Sequence, residues 1–436
     1  MRAILRFVST RGSTPVPLEE VLFRGLAPDG GLYMPTSIPS LAGSPDSEDQ
    51  DFRVTAAWAS SRLFSGQLGE TEAIRLALET LDFPVPLVEV SPGFHVLELF
   101  HGPTHAFKDV GGQFMAGLMQ YVGSPSSDKR TTTILVATSG DTGGAVARAF
   151  HGRPKTRVVV LFPDEGISLQ QRRQMSTLGD NILAISVAGT FDHCQALVKE
   201  AFASDTLRDR YCLTSANSIN LGRLLPQMFY YLHATRLLSP TPALFAVPSG
   251  NLGNLCAGLL AHIAGMPALG FLSAMNANDV FGRFLDTGNL SEQPSVPTVS
   301  SAMDVGKPSN LERIRWLFRK NPDQMNHIIR GISIDDAETR RCITEVYEET
   351  GYVLDPHSAV AYRVAQQHHN LAVGPTVVLA TAHPAKFPGV VETAIGSKVE
   401  PPQELLSVMK RKELFSEIKP TLQELEALLD ETILDD

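Results

Sequence analysis

The stretch Leu244–Asn254, LFAVPSGNLGN, pairs an apolar strand-like approach, Leu244–Pro248, with the glycine-rich turn Ser249–Asn254. Glycines at 250 and 253 free the backbone N–H groups to converge on an anion, and the uncharged run from Leu255 to Ala264 places a helix N-terminus behind them. Strand, glycine turn and helix in that order are the unit of an open α/β sheet. The turn alone is equally compatible with a purely structural connection.

Working outward, strand-like runs alternate with helical patterns through the middle of the chain. Thr133–Ala137 leads to a helix over Gly143–Phe150, Val158–Phe162 to one over Ser168–Leu178, and Ile182–Val187 to one over Phe191–Phe202. This alternation predicts α/β architecture with doubly wound parallel sheets. Leu255–Met275 carries no formal charge, but Gly265-Met266-Pro267 breaks it and His262 lies within it, so it reads as a buried helix, a turn and the strand Leu269–Ser273 rather than a membrane span. Gly288–Ser301 reads as a loop.

Two further segments bring chemistry. In HGPTHAFKDVGGQF, residues 101–114, Lys108 follows the strand-like run His95–Phe100 and lies between Phe107 and Asp109; a lysine at a helix start is ordinarily a solvated residue. TSGDTGGAVA, residues 138–147, offers a polar loop ahead of a helix. An amine able to form a Schiff base, a phosphate cup and a polar loop for a substrate carboxylate are together the parts a pyridoxal phosphate enzyme requires.

Composition bounds the alternatives. The 436 residues allow two or three domains, and 43% hydrophobic with 19% charged residues describes an ordinary globular chain. A net charge of −10 with no Lys/Arg-rich run argues against a nucleic-acid surface. Cys194, Cys212, Cys256 and Cys342 are widely spaced and form no metal-ligand pattern, so no metal is expected and the thiols read as reduced. Charges at positions 2, 6 and 11 interrupt any signal-peptide core, which predicts a cytoplasmic protein without a membrane association. No pattern specifies an oligomeric state.

The motifs, taken in series, closely resemble the threonine synthase family, a branch of the tryptophan-synthase-like (fold type II) pyridoxal phosphate enzymes. The series runs STRG (9–12), GLAPDGGLYMP (25–35), HGPTHAFKD, ATSGDTGGAVA, GTFDHCQALVKEAF (189–202), NSINLGRLLPQMFYY (217–231), PSGNLGN and ATAHPAKF (380–387). The resemblance implies an N-terminal domain over 1–90, a large cofactor-binding domain over 91–126 and 215–400, a small α/β domain over 127–214 and a peripheral tail over 401–436.

It also implies roles. Lys108 carries the cofactor as a Schiff base and then serves as general acid and base. Gly250, Asn251, Leu252, Gly253 and Asn254 form the cofactor-phosphate cup. Thr381 faces the pyridine nitrogen, and a neutral hydroxyl there suits elimination and replacement more than transamination. Ser139, Gly140, Asp141 and Thr142 hold the substrate carboxylate or the cofactor's 3′-oxygen; many relatives in the wider fold carry Asn where Asp141 stands, and a capped helix start accounts for Asp and Thr equally well. Arg223, Lys386 and His383 are the motif-borne candidates for a substrate phosphoryl group. The implied reaction turns O-phospho-L-homoserine and water into L-threonine and phosphate. A phospho-lyase releasing a 2-keto acid and ammonia shares the motifs. A non-catalytic metabolite binder, or a nucleotide-binding module, is the reading from another class. The absence of G-x-x-x-x-G-K-[ST] and G-x-G-x-x-G weighs against nucleotide binding, and the presence of Lys108 against a non-catalytic role.

Overall fold

The computed structural model describes residues 4–123, 130–369 and 373–433. Along the chain the strands are β1 (Phe7–Ser9), β2 (Tyr33–Pro35), β3 (Leu87–Ser91), β4 (Phe94–Glu98), β5 (Thr132–Ala137), β6 (Thr156–Pro163), β7 (Ile182–Val187), β8 (Leu213–Thr214), β9 (Ala243–Pro248), β10 (Ala268–Met275), β11 (Ile329–Ser333), β12 (Thr376–Ala380) and β13 (Ser416–Ile418). They form two sheets beside the antiparallel β1–β2 pair. The larger runs β11-β10-β9-β12-β4-β3, parallel except for the antiparallel edge strand β3. The smaller runs β13-β7-β6-β5-β8 and is parallel throughout.

The expected strand–helix units are present with small shifts in their ends. β5 leads to the helix Asp141–Phe150, β6 to Leu169–Ser176, and β7 to Phe191–Ala203. Parallel strands covered on both faces read as continuous apolar runs, and β5 is buried at every position. The helix Gly253–Ile263 and strand β10 replace the charge-free run, and no described helix is long and apolar enough to cross a membrane. One apolar cluster joins Phe7, Tyr33, Phe52 and Phe64 of the N-terminal region to Phe114 and to the facing sides of both sheets. The Phe64–Phe114 and Phe114–Phe229 ring contacts, at 5.4 and 5.3 Å, carry that continuity. The N-terminal region therefore shares the central core rather than enclosing one of its own.

The tail differs from expectation. Residues 401–433 are not peripheral: β13 extends the small sheet beside β7, and Ile418, Leu425 and Leu429 are buried against Leu197 and Tyr211. Glu413 ties the same segment to Arg172 at 2.9 Å. The boundary placed at 126/127 and the last residues, 434–436, lie outside the described residues, as does Arg2.

Candidate active site

In a parallel sheet the connections leaving the carboxyl ends of the strands gather at one edge, and ligands bind there. β4, β12 and β9 lie side by side, and the Lys108 segment, the Thr381 segment and the glycine turn leave from their carboxyl ends. The TSGD loop leaves the corresponding end of β5. These four connections enclose a cavity of about 200 Å³ between the sheets, lined by Lys108, Thr138, Ser139, Asp141, Thr142, Asn217, Ser218, Arg223, Gly250–Asn254, His357 and Thr381 among others.

Lys108 opens the helix Lys108–Val122, and the backbone just before it is pinned to the end of β12: Phe107 N–H donates to the Thr381 carbonyl at 2.9 Å. Its side chain keeps 15% of its surface, and Nζ lies 3.6 Å from Asp141 Oδ2 and 5.0 Å from the Phe107 ring centre. Burial pushes the amine pKa below the ordinary lysine value, with the Asp141 carboxylate opposing that shift. A buried amine with a lowered pKa is the form a Schiff base and proton transfer both need.

The glycine turn is built for close approach. Leu252 sits in the left-handed region at φ 60° and starts the helix Gly253–Ile263, leaving the first-turn amides of that helix without helical acceptors. A Cβ on Gly250 would stand 2.7 Å from Met303 Cα, so only glycine fits there. Asn254 accepts hydrogen bonds from Tyr230 and Tyr231 hydroxyls at 2.6 and 2.8 Å, while its buried Nδ2 has no protein partner. Asn251 Nδ2 and Asn310 Nδ2 both donate to Ser218 Oγ, at 2.9 and 3.1 Å, which joins the cup to the NSIN turn. The unsatisfied donor, the glycine cradle, the helix N-terminus and the buried amine are groups that fit pyridoxal phosphate.

On the opposite wall Thr138 Oγ1 accepts from Gly140 and Gly143 N–H, at 3.0 and 2.9 Å, and so shapes the turn that opens the helix Asp141–Phe150. Ser139, Asp141 and Thr142 line the cavity; Gly140, at φ 149°, packs against Gln171 and does not. Thr381 lines it, with 5% of its surface exposed. Arg223 also lines it, fully enclosed, its Nη atoms donating to the Ala216 and Lys108 carbonyls at 2.6 and 3.4 Å and its buried Nε unpartnered. Burial lowers its pKa to about 10, which leaves it a cation.

Lys386 and His383 are elsewhere. Lys386 is wholly buried, its Nζ 2.6 Å from Asp141 Oδ1 and 2.9 Å from the Thr104 carbonyl, and it is not among the residues lining the cavity. His383 makes edge-on ring contacts with Phe100 and His105, and burial pushes its pKa down to about 4. Neither is placed to meet a substrate phosphoryl group. The cavity wall contributed by Phe191, Gln195 and Lys199 of the helix Phe191–Ala203 instead brings an exposed lysine. The i, i+4, i+8 spacing of those three in GTFDHCQALVKEAF is the signal that could have found them. Asn217, Ser218 and His357 were likewise unassigned from the sequence; the first two stand in the NSIN motif.

The family described as pyridoxal-phosphate dependent enzyme matches residues 81–382, so the chain belongs to that class and pyridoxal 5′-phosphate is its cofactor. The threonine synthase N-terminus matches residues 6–67 and the threonine synthase C-terminal region residues 358–429. A threonine synthase of Serratia marcescens is 40% identical over 396 residues, covering 89% of this chain and 90% of its own. The threonine synthase crystal structure from Escherichia coli superposes with a TM-score of 0.89 at 36% identity, covering 98% of this chain and 99% of that one. The pyridoxal phosphate-bound threonine synthase from Brucella melitensis gives 0.87 at 35%, with the same coverage. The chain is a member of the threonine synthase family.

Proposed function

We propose that the chain converts O-phospho-L-homoserine and water into L-threonine and phosphate in the cytoplasm, with Lys108 as the cofactor lysine and the base that serves the substrate carbons. The observation that carries the assignment is the single cavity in which the Lys108 amine, the glycine cup and the TSGD loop meet.

When bound, pyridoxal phosphate supplies the electron sink that makes the substrate Cα proton removable. The cup amides of Gly250–Asn254 and the N-terminus of the helix Gly253–Ile263 would hold its phosphate, and the Thr381 hydroxyl would serve its ring nitrogen without imposing a positive charge there. The amides and hydroxyls of Ser139 and Thr142, at the start of the helix Asp141–Phe150, hold the substrate carboxylate. Arg223 and Lys199, both lining the cavity, hold the phosphoryl group through departure from Cγ. Lys108 Nζ takes the Cα proton and then a Cβ proton; once phosphate has left Cγ, protons return to Cγ and Cα and water supplies the hydroxyl at Cβ. Enclosure between the sheets delays water until phosphate has left.

Purified protein given O-phospho-L-homoserine should release phosphate and L-threonine in equal amounts. Release of 2-oxobutyrate and ammonia in place of threonine would make the chain a phospho-lyase and overturn the proposal.

A further inference from the structure

We infer that Lys386 is a positioning residue for Lys108: it anchors the Asp141 carboxylate across the boundary between the two sheets and thereby keeps the Lys108 amine out of a tight ion pair. The inference rests on the assignment of Lys108 as the cofactor lysine.

Lys386 belongs to the turn Pro384–Lys386 that follows β12 in the large sheet, and Asp141 to the first turn of the helix that follows β5 in the small one. The two are enclosed, at 0% and 2% side-chain exposure, and meet at 2.6 Å. Asp141 Oδ1 accepts from Gln171 Nε2 as well, at 2.9 Å, so that oxygen is fully engaged. Oδ2 faces Lys108 at 3.6 Å, beyond the 2.7–2.9 Å of a strong charge-assisted bond. One carboxylate therefore lies between two lysines and is held tightly by the one that has no access to the cavity.

Lys386 is itself fixed. Its Nζ donates to the Thr104 carbonyl, which also accepts from Gln174 Nε2 at 2.9 Å, while Thr104 N–H and Oγ1 donate to Asp109 at 2.8 and 2.7 Å. The other charged described residues near the pair have contacts of their own, although Arg223 Nε and His105 Nε2 make no hydrogen bond. Arg223 Nη atoms serve backbone carbonyls, Asp109 is bound by Thr104, and His105 lies 3.8 Å from Glu404. Among the described residues, the other cation already facing Asp141 is Lys108, at 3.6 Å, and it is the one to take up the carboxylate without Lys386. Consistent with this division, Asp141 is held well below the usual carboxylate range, against the penalty of burial, by Lys386 first and Lys108 second.

The test is the pKa of the Lys108 amine in the full chain without cofactor. It is read from the pH dependence of acetic anhydride labelling of the Lys108 peptide by mass spectrometry, so no turnover is needed. Lys386→Met should raise that pKa by about one unit or more, a tenfold gain in proton affinity. Lys386→Gln, which keeps a donor for the Thr104 carbonyl, should do the same. In an Asp141→Asn background the Lys386→Met shift should shrink to less than half, because there is no carboxylate to release. An equal shift in both backgrounds would mean that Lys386 acts by its own charge alone, and no shift would mean that it does not act; either overturns the inference. If the single variants fail to fold, recovery of folding in Lys386→Met/Asp141→Asn supports anchoring, and failure of that double variant refutes it. Borohydride trapping of cofactor on a lysine other than Lys108 would instead remove the underlying assignment.

Discussion

Gly250→Ala puts the cofactor cup to a quantitative test. The added Cβ would stand 2.7 Å from Met303 Cα and 3.2 Å from its carbonyl carbon and oxygen. Carbon–carbon contact is comfortable near 3.5 Å, so one side must yield by roughly 0.8 Å. The Met303 side is braced: Ala302 N–H donates to His357 Nε2 at 3.1 Å, Met303 N–H to the Ser300 carbonyl at 2.9 Å, and His357 Nδ1 is held by Asp355 at 2.7 Å. The turn Ser249–Asn254 is therefore the side that moves. Overpacking of this kind costs about 1–3 kcal/mol, and if it falls on the cup it weakens cofactor binding roughly 5- to 150-fold. Absorbance titration of cofactor-free protein with pyridoxal phosphate measures the loss, with circular dichroism to check the fold. Gly253→Ala should lose less, since its Cβ would meet Ser218 Cβ at 3.2 Å, a side chain able to give. A folded Gly250→Ala protein that binds cofactor within twofold of the parent would refute the placement of the phosphate.

Other consequences are equally direct. Arg223→Met should raise KM for O-phospho-L-homoserine at least tenfold, as expected for loss of a charge-assisted contact of about 1.5–3 kcal/mol, and Lys199→Met should raise it by a smaller factor; steady-state kinetics with unchanged KM in both would place the phosphoryl group on other donors. His233, buried and 3.2 Å from Thr55 Oγ1, has its pKa pushed down to about 4 by burial. The fold therefore favours its neutral form. That stability is present above pH 6.5 and is lost as pH falls toward 4, on the order of 3 kcal/mol in all. His233→Gln should flatten the acid side of a Tm-versus-pH curve, and an unchanged curve would contradict this. Leu425→Ala and Leu429→Ala should each cost about 2–5 kcal/mol in denaturant unfolding if the helix Leu422–Ile433 completes the small-sheet core, and near-zero losses would return it to the periphery.

What the sequence showed and what it hid divide along physical lines. The β5, β6, β7, β9 and β10 units were legible because strands buried on both faces are written as unbroken apolar runs, and the turns after them carry glycine and polar residues. The gathering of Lys108, Gly250–Asn254 and Thr381 at one cavity was legible because each stands in a compact motif at a strand end. β13 was not: SEI has no apolar run, and its place beside β7 depends on a pairing far along the chain. The motif around Lys386 marked it for the substrate, but its ammonium is paired with Asp141, a partner from the other sheet that the sequence does not announce. Lys199 escaped notice because a lysine on a helix reads as a solvated one until the opposite wall is in place.

Among the described residues three lysines stand in or against this site: Lys108 in the cavity beside Asp141, Lys386 buried behind it, and Lys199 at the wall. Reduction of the cofactor-loaded protein with borohydride, followed by peptide mapping, tells them apart and is the most direct test of the account. The pyridoxyl group should be recovered on Lys108 alone; recovery on Lys386 or Lys199 would contradict it.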